Sequence, residues 1–87
     1  MEKSMYTDEY EVLVALLVET RKAAGVTQVD LAERLGQSQS FVSKVERGDR
    51  RLDVVQLRTI CGELGTTLMD FVQELEQRLS PKPKKRR

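Results

Sequence analysis

Residues 27–48 read TQVDLAERLGQSQSFVSKVERG, and the two glycines in that stretch divide it into two short amphipathic units. Thr27 offers an N-cap for a helix over Gln28–Leu35, whose inward face is Leu31, Ala32 and Leu35. Gly36 ends it, because glycine takes the left-handed conformation that a helix terminus commonly needs. Ser38 then caps a second unit from Gln39 to about Arg47, stopped by Gly48, in which Val42 and Val45 point inward. Its remaining positions, Gln39, Ser40, Ser43, Lys44 and Arg47, are polar and share one outward stripe by the spacing i, i+1, i+4, i+5, i+8. Two short helices joined by a tight turn hold the second clear of the body, and a B-DNA major groove is wide enough to admit one such helix. Gln39 stands at the N-terminal end of the presented helix, where base contacts originate in this arrangement. Its amide donates and accepts at once, matching adenine N6 and N7, a pairing that discriminates by about 1 to 3 kcal/mol.

The flanking segments are also helical. Asp8 followed by Glu11 has the form of a capping box. Tyr10, Leu13, Val14, Leu17 and Ala24 then recur at helical spacing until Gly25. After residues 49–52, Asp53 caps a helix carrying Leu57, Ile60, Cys61 and Leu64, closed by Gly65. Thr67 opens a last helix with Leu68, Phe71, Val72, Leu75 and Leu79 at i, i+3, i+4, i+7 and i+11, ended by Ser80 and Pro81. No segment alternates as a strand does and none repeats. The expected class is therefore all-α: a five-helix bundle over residues 1–79 with a disordered basic tail at 80–87.

Eighty-seven residues hold one small core. The formal charge of +1 conceals a split, since Lys82, Lys84, Lys85, Arg86 and Arg87 put five positive charges into the last eight residues. Without those five, ten Lys and Arg stand against fourteen Asp and Glu, leaving the body at −4. Binding to nucleic acid then requires a locally basic face. Residues 34–51 supply one, with Arg34, Lys44, Arg47, Arg50 and Arg51 against Glu46 and Asp49. There is no histidine, one cysteine, no metal-ligand cluster and no glycine-rich phosphate loop, so no catalytic residue, metal or cofactor is expected. The longest uncharged apolar run, residues 12–18, is too short for a bilayer, and no export leader is evident. A cytoplasmic, nucleoid-associated protein is expected.

The segment resembles the Cro and phage-repressor family of bacterial helix-turn-helix regulators, also called the xenobiotic-response-element family. The shared features are Arg21, Gly25, Thr27-Gln28, Leu31-Ala32, Leu35-Gly36, Ser38-Gln39-Ser40, Val42-Ser43-Lys44 and Glu46-Arg47-Gly48, continuing through Leu57, Ile60, Leu64 and Gly65. Two departures are Thr20, where the family usually has a large apolar residue, and Leu52, where proline is common. The resemblance implies a phage-repressor-type domain that binds a palindromic operator in double-stranded DNA as a homodimer and regulates transcription. It implies base contacts from Gln39, Ser40, Ser43 and Lys44, and phosphate contacts from Gln28, Arg47, Arg50 and Arg51. Gln28 would also brace Gln39. Arg21 and Glu46 would form an ion pair that fixes the recognition helix to the body.

Other readings stand beside these. Phe41 either packs on the edge of the body or inserts toward a thymine methyl, the former being favoured by the burial of its ring. Cys61 reads as a buried inert thiol sooner than an oxidant sensor. The stripe Leu68, Phe71, Val72, Leu75 and Leu79 exceeds what five short helices readily cover, which suggests a dimer interface. The basic tail reads as an arm that neutralises phosphates, with a nuclear import signal or a solubilising terminus as lesser options. The rival function is a protein-binding module, such as the antitoxin of a toxin-antitoxin pair or a transcription-complex adaptor.

Overall fold

In the computed structural model, which describes residues 8–79, side chains just outside the second to fifth helices decide where these begin. Among the described residues there are five helices and no strand: α1 (Asp8–Ala23), α2 (Gln28–Leu35), α3 (Gln39–Glu46), α4 (Val54–Glu63) and α5 (Leu68–Leu79). Residues 80–87, expected to form the basic tail, lie outside the described residues. Thr27 Oγ1 accepts from the Asp30 amide at 3.0 Å, and the Asp30 carboxylate accepts in return from the Thr27 amide at 3.3 Å. Asp53 and Gln56 make the same reciprocal pair at the start of α4. Ser38 and Thr67 cap α3 and α5 through one bond each. These bonds satisfy N–H groups that a helix start otherwise leaves without partners.

Gly36 closes α2 at φ +68°, and its amide donates to the carbonyls of Ala32 and Glu33. That conformation costs an L-residue with a β-carbon roughly 1 to 2 kcal/mol, so the turn that orients α3 depends on this glycine. The first helix differs from its expectation at both ends. Asp8 is already helical and sits in the first turn with Glu9 and Glu11, where its charge meets the positive end of the helix rather than capping it from outside. Ala24 falls beyond the last turn and is exposed.

The core is a single cluster in which Leu17, Leu31 and Cys61 are almost completely buried. Leu16 joins Leu17 inside, whereas Leu13 and Val14 are only half-buried. Helix α2 packs on α3 and α4, α1 on α3 and α5, and α4 on α5. Thr20, the polar residue in the second half of α1, donates its hydroxyl to the Leu16 carbonyl one turn back at 2.7 Å, which satisfies it in a half-buried position. Leu52 packs against the core from the α3–α4 loop.

The stripe on α5 is shared between the core and solvent. Phe71 is 3% exposed and belongs to the core, and Leu68 and Leu75 lean on it, while Val72 and Met69 face outward. Arg78 ties α5 to α1 through Glu19 at 2.8 Å and to its own helix through Glu74 at 3.1 Å. The guanidinium holds the Glu19 carboxyl below its ordinary pKa. All three side chains meet water, so this clamp orients α5 more than it stabilises it.

Burial pushes the Cys61 thiol pKa up, which disfavours the reactive thiolate. Cys61 should therefore react with a thiol reagent only as fast as the domain opens, and at full rate in denaturant. Leu17→Ala should lower the unfolding free energy in urea by about 2 to 5 kcal/mol. Val54→Ala, at a position 62% exposed, should change it by less than about 0.5 kcal/mol.

Candidate nucleic-acid interface

Arg21 lies in the last turn of α1 and is buried, a position that a guanidinium tolerates only when its donors are paired. Its Nε donates to Glu46 Oε2 at 2.6 Å and its Nη2 to Glu46 Oε1 at 3.0 Å, a bidentate pair with both side chains less than a tenth exposed. Nη1 donates to the Val26 carbonyl at 2.7 Å, in the turn between α1 and α2. One side chain thus joins the end of α1, the entry to α2 and the last residue of α3.

The network continues outward. Gln28, the first residue of α2, donates its amide nitrogen to Glu46 Oε1 at 2.9 Å, and its own oxygen accepts from Gln39 Nε2 at 3.2 Å. Gln39 is the first residue of α3 and is exposed. The chain Arg21, Glu46, Gln28, Gln39 therefore runs from the core to the surface and ends at the expected reading position.

Ser40 and Lys44 are exposed on the same face as Gln39, and together with Gln37, Ser38, Phe41 and Arg50 they line a shallow concavity. Ser43 is half-buried and its hydroxyl accepts from Arg47 at 2.6 Å. Arg47 also meets Asp49 at 3.1 Å in an exposed ion pair, so it must exchange weak partners to reach a phosphate. Arg50 lies over the Phe41 ring at 5.0 Å. Phe41 packs against the core, so it forms a platform for a cation beside the concavity. Arg51 sits 4.4 Å from the Tyr10 ring, at the start of α1 and apart from the Lys44 concavity.

Three contributors were not singled out from the residues: Gln37 in the concavity, and the rings of Phe41 and Tyr10 as supports for Arg50 and Arg51. Only an aromatic within reach of the arginines after the turn is formed would have signalled the last two. No cluster of three potential metal ligands occurs among the described residues, and none of their helices is long and apolar enough to cross a membrane.

A family model described as helix-turn-helix matches residues 17–71. Among solved structures, an XRE-family-like protein from Pseudomonas syringae pv. tomato matches at 46% identity and a TM-score of 0.77, over 84% of this chain and 88% of that one. The clp gene regulator ClgR from Corynebacterium glutamicum matches at 31% identity and a TM-score of 0.72, over 85% of this chain and 95% of that one. The restriction-modification controller protein C.Esp1396I, as a tetramer in complex with its natural 35 base-pair operator, has a TM-score of 0.76 over 85% of this chain and 97% of that one. At 23% identity this last likeness is one of fold. A search of curated proteins finds no match.

The bidentate pair makes a sharp energetic prediction. Arg21→Ala strands a buried carboxylate and should lower stability to urea by about 3 to 5 kcal/mol. The double variant Arg21→Met, Glu46→Leu removes both charges and should cost less than Arg21→Ala alone.

Proposed function

Because this chain belongs to the Cro/C1-type helix-turn-helix family, also called the XRE family, we propose that it is a transcriptional regulator that binds double-stranded DNA sequence-specifically. It does so as a homodimer on a palindromic operator, in the bacterial cytoplasm on the nucleoid, with α3 in the major groove. The observation that carries this reading is an exposed polar face, Gln39, Ser40 and Lys44, on a helix clamped from behind by a buried ion pair. A surface held this rigidly loses little conformational freedom when it meets a partner.

In this arrangement Gln39 pairs with adenine, and Lys44 donates to guanine O6 and N7. Ser40 and Ser43 contact bases without much discrimination. Gln28, Arg47, Arg50 and Arg51 hold phosphates and set the register without reading sequence. Arg50 lies against the Phe41 ring and Arg51 against the Tyr10 ring, contacts that limit the positions each guanidinium takes up before it meets a phosphate. Two copies meet through the outer side of α5, where Val72 and Met69 are exposed and Leu79 is half-buried, with Leu68 and Leu75 at the margin. Phe71 supports that surface from the core. Such a dimer places its recognition helices about 34 to 36 Å apart, or a multiple of that. Residues 82–87 add phosphate contacts.

The test is a selection from random duplex DNA, followed by titration of the winning site at several salt concentrations. A palindromic site should emerge, and Gln39→Ala should relax the preference at one base pair in each half by about 1 to 3 kcal/mol. Deleting residues 82–87 should mainly flatten the salt dependence, by about 0.9 in log-log slope for each phosphate no longer neutralised. Absence of any enriched sequence, with all forms binding alike, would overturn the reading and leave a protein as the principal partner.

A further inference from the structure

Helix α1 buries Leu16 and Leu17 but leaves another face uncovered. Val14, Ala15 and Val18 form the apolar floor of a shallow groove there, with Glu11 at one end and Glu19 at the other. Asp8 continues the same face one turn before Glu11. Glu46 and Arg47, where α3 ends, also line it, so the groove borders the proposed DNA face. Its carboxylates are not equivalent. Glu46 is taken up by Arg21 and Gln28, and Glu19 pairs with Arg78. Asp8 and Glu11 are exposed and enter no ion pair among the described residues.

The chain carries its own complement to this face. Helix α5 ends at Leu79, and Arg78 in its last turn reaches Glu19 at 2.8 Å, which sets the exit of the chain at one end of the groove. Eight residues follow in the sequence, with Lys82, Lys84, Lys85, Arg86 and Arg87 among them. Eight residues span at most about 26 to 29 Å, whereas Glu11 lies about 12 Å and Asp8 about 17 Å from Glu19 along the helix. Lys22, one turn beyond Glu19 on the same face, repels cations and leaves the direction of Glu11 as the favourable one. We propose that the α1 groove is the docking site of the chain's own residues 82–87 when no DNA is bound. Their cations meet Asp8 and Glu11, and their alkyl stems lie on Val14, Ala15 and Val18.

Exposed ion pairs contribute little one at a time. A tether of a few residues, however, raises the local concentration of the cations into the millimolar range, which lets weak pairs act together. Lysine and arginine stems also cover apolar surface while their charges stay in water. The same cations are the ones assigned to phosphate, so groove and DNA compete for them, and the groove lowers affinity for duplexes of every sequence alike. Docking on α1 stands without DNA reading by α3, and only the competition rests on that reading.

The experiment compares nitrogen-15 spectra of the full chain, without DNA and at low salt, with those of a form lacking residues 80–87, which keeps all five helices. Deletion should shift the backbone amides of Glu11, Val14, Ala15 and Val18, and a synthetic peptide of residues 80–87 added to the shortened form should reverse those shifts. Salt at about 1 M, where charges are screened within about 3 Å, should abolish both effects. In the variant Asp8→Asn, Glu11→Gln, at two exposed positions, deletion and peptide should leave these amides nearly unmoved. That variant should also gain affinity for an unrelated duplex at least about threefold more in the full chain than in the shortened form, as two freed surface pairs allow. Unmoved α1 amides, shifts confined to the end of α5, or shifts that grow with protein concentration and so place a second copy there, would overturn the docking. Equal gains in both forms would overturn the competition alone, whereas failure of every form to bind DNA would count against the proposed function instead.

Discussion

The structure depends on one buried pair, the guanidinium of Arg21 against the carboxylate of Glu46. Burying two charges is costly, and their attraction offsets that cost only when the geometry is good and the remaining donors are used. Here they are used: the third guanidinium nitrogen reaches the Val26 carbonyl, and the carboxylate accepts a third bond, from Gln28. A hydrophobic pair could hold the same helices together with less penalty. What it could not do is fix a rotation of α3 about its axis and pass a direction of hydrogen bonding to the surface.

That distinction separates the two parts of the molecule. The core of Leu17, Leu31, Cys61 and Phe71 supplies stability without direction, since apolar burial is proportional to area and indifferent to angle. The polar chain from Arg21 to Gln39 supplies direction at the face proposed to read DNA. The exposed cations beyond that face make short-range surface contacts. Arg47 bonds to Ser43 and Asp49, Arg50 lies over the Phe41 ring and Arg51 over the Tyr10 ring. On the proposed DNA-binding reading, such exposed contacts are the ones a phosphate would replace, while the Gln39 amide would meet a base edge.

The parts of this arrangement that were legible in the sequence are the local ones. Thr27, Ser38 and Asp53 each stand just before an apolar-periodic run, and Gly36 just after one, so caps and turns could be read residue by residue. The ends of α1 were less legible, because an acidic residue serves equally before a helix and in its first turn, as Asp8 does. The Arg21–Glu46 pair spans 25 positions, and only the family resemblance joined those two residues in advance. The bond between Gln28 and Glu46 had no sequence signal at all, since either glutamine-to-glutamate geometry needs the helices already docked. The stripe on α5 reads alike whether it faces a core or a partner. Packing alone shows that Phe71 faces inward and Val72 outward.

The most direct test of the claim that a clamped α3 reads DNA is nuclear magnetic resonance of the protein labelled with nitrogen-15, titrated with its selected duplex and with an unrelated duplex of equal length. The side-chain amide of Gln39 and the backbone amides of Gln39, Ser40 and Lys44 should shift strongly with the selected duplex alone. The amides around Arg21 and Glu46 should stay nearly still. Shifts of equal size with both duplexes, or a response confined to α4 and α5, would contradict the claim.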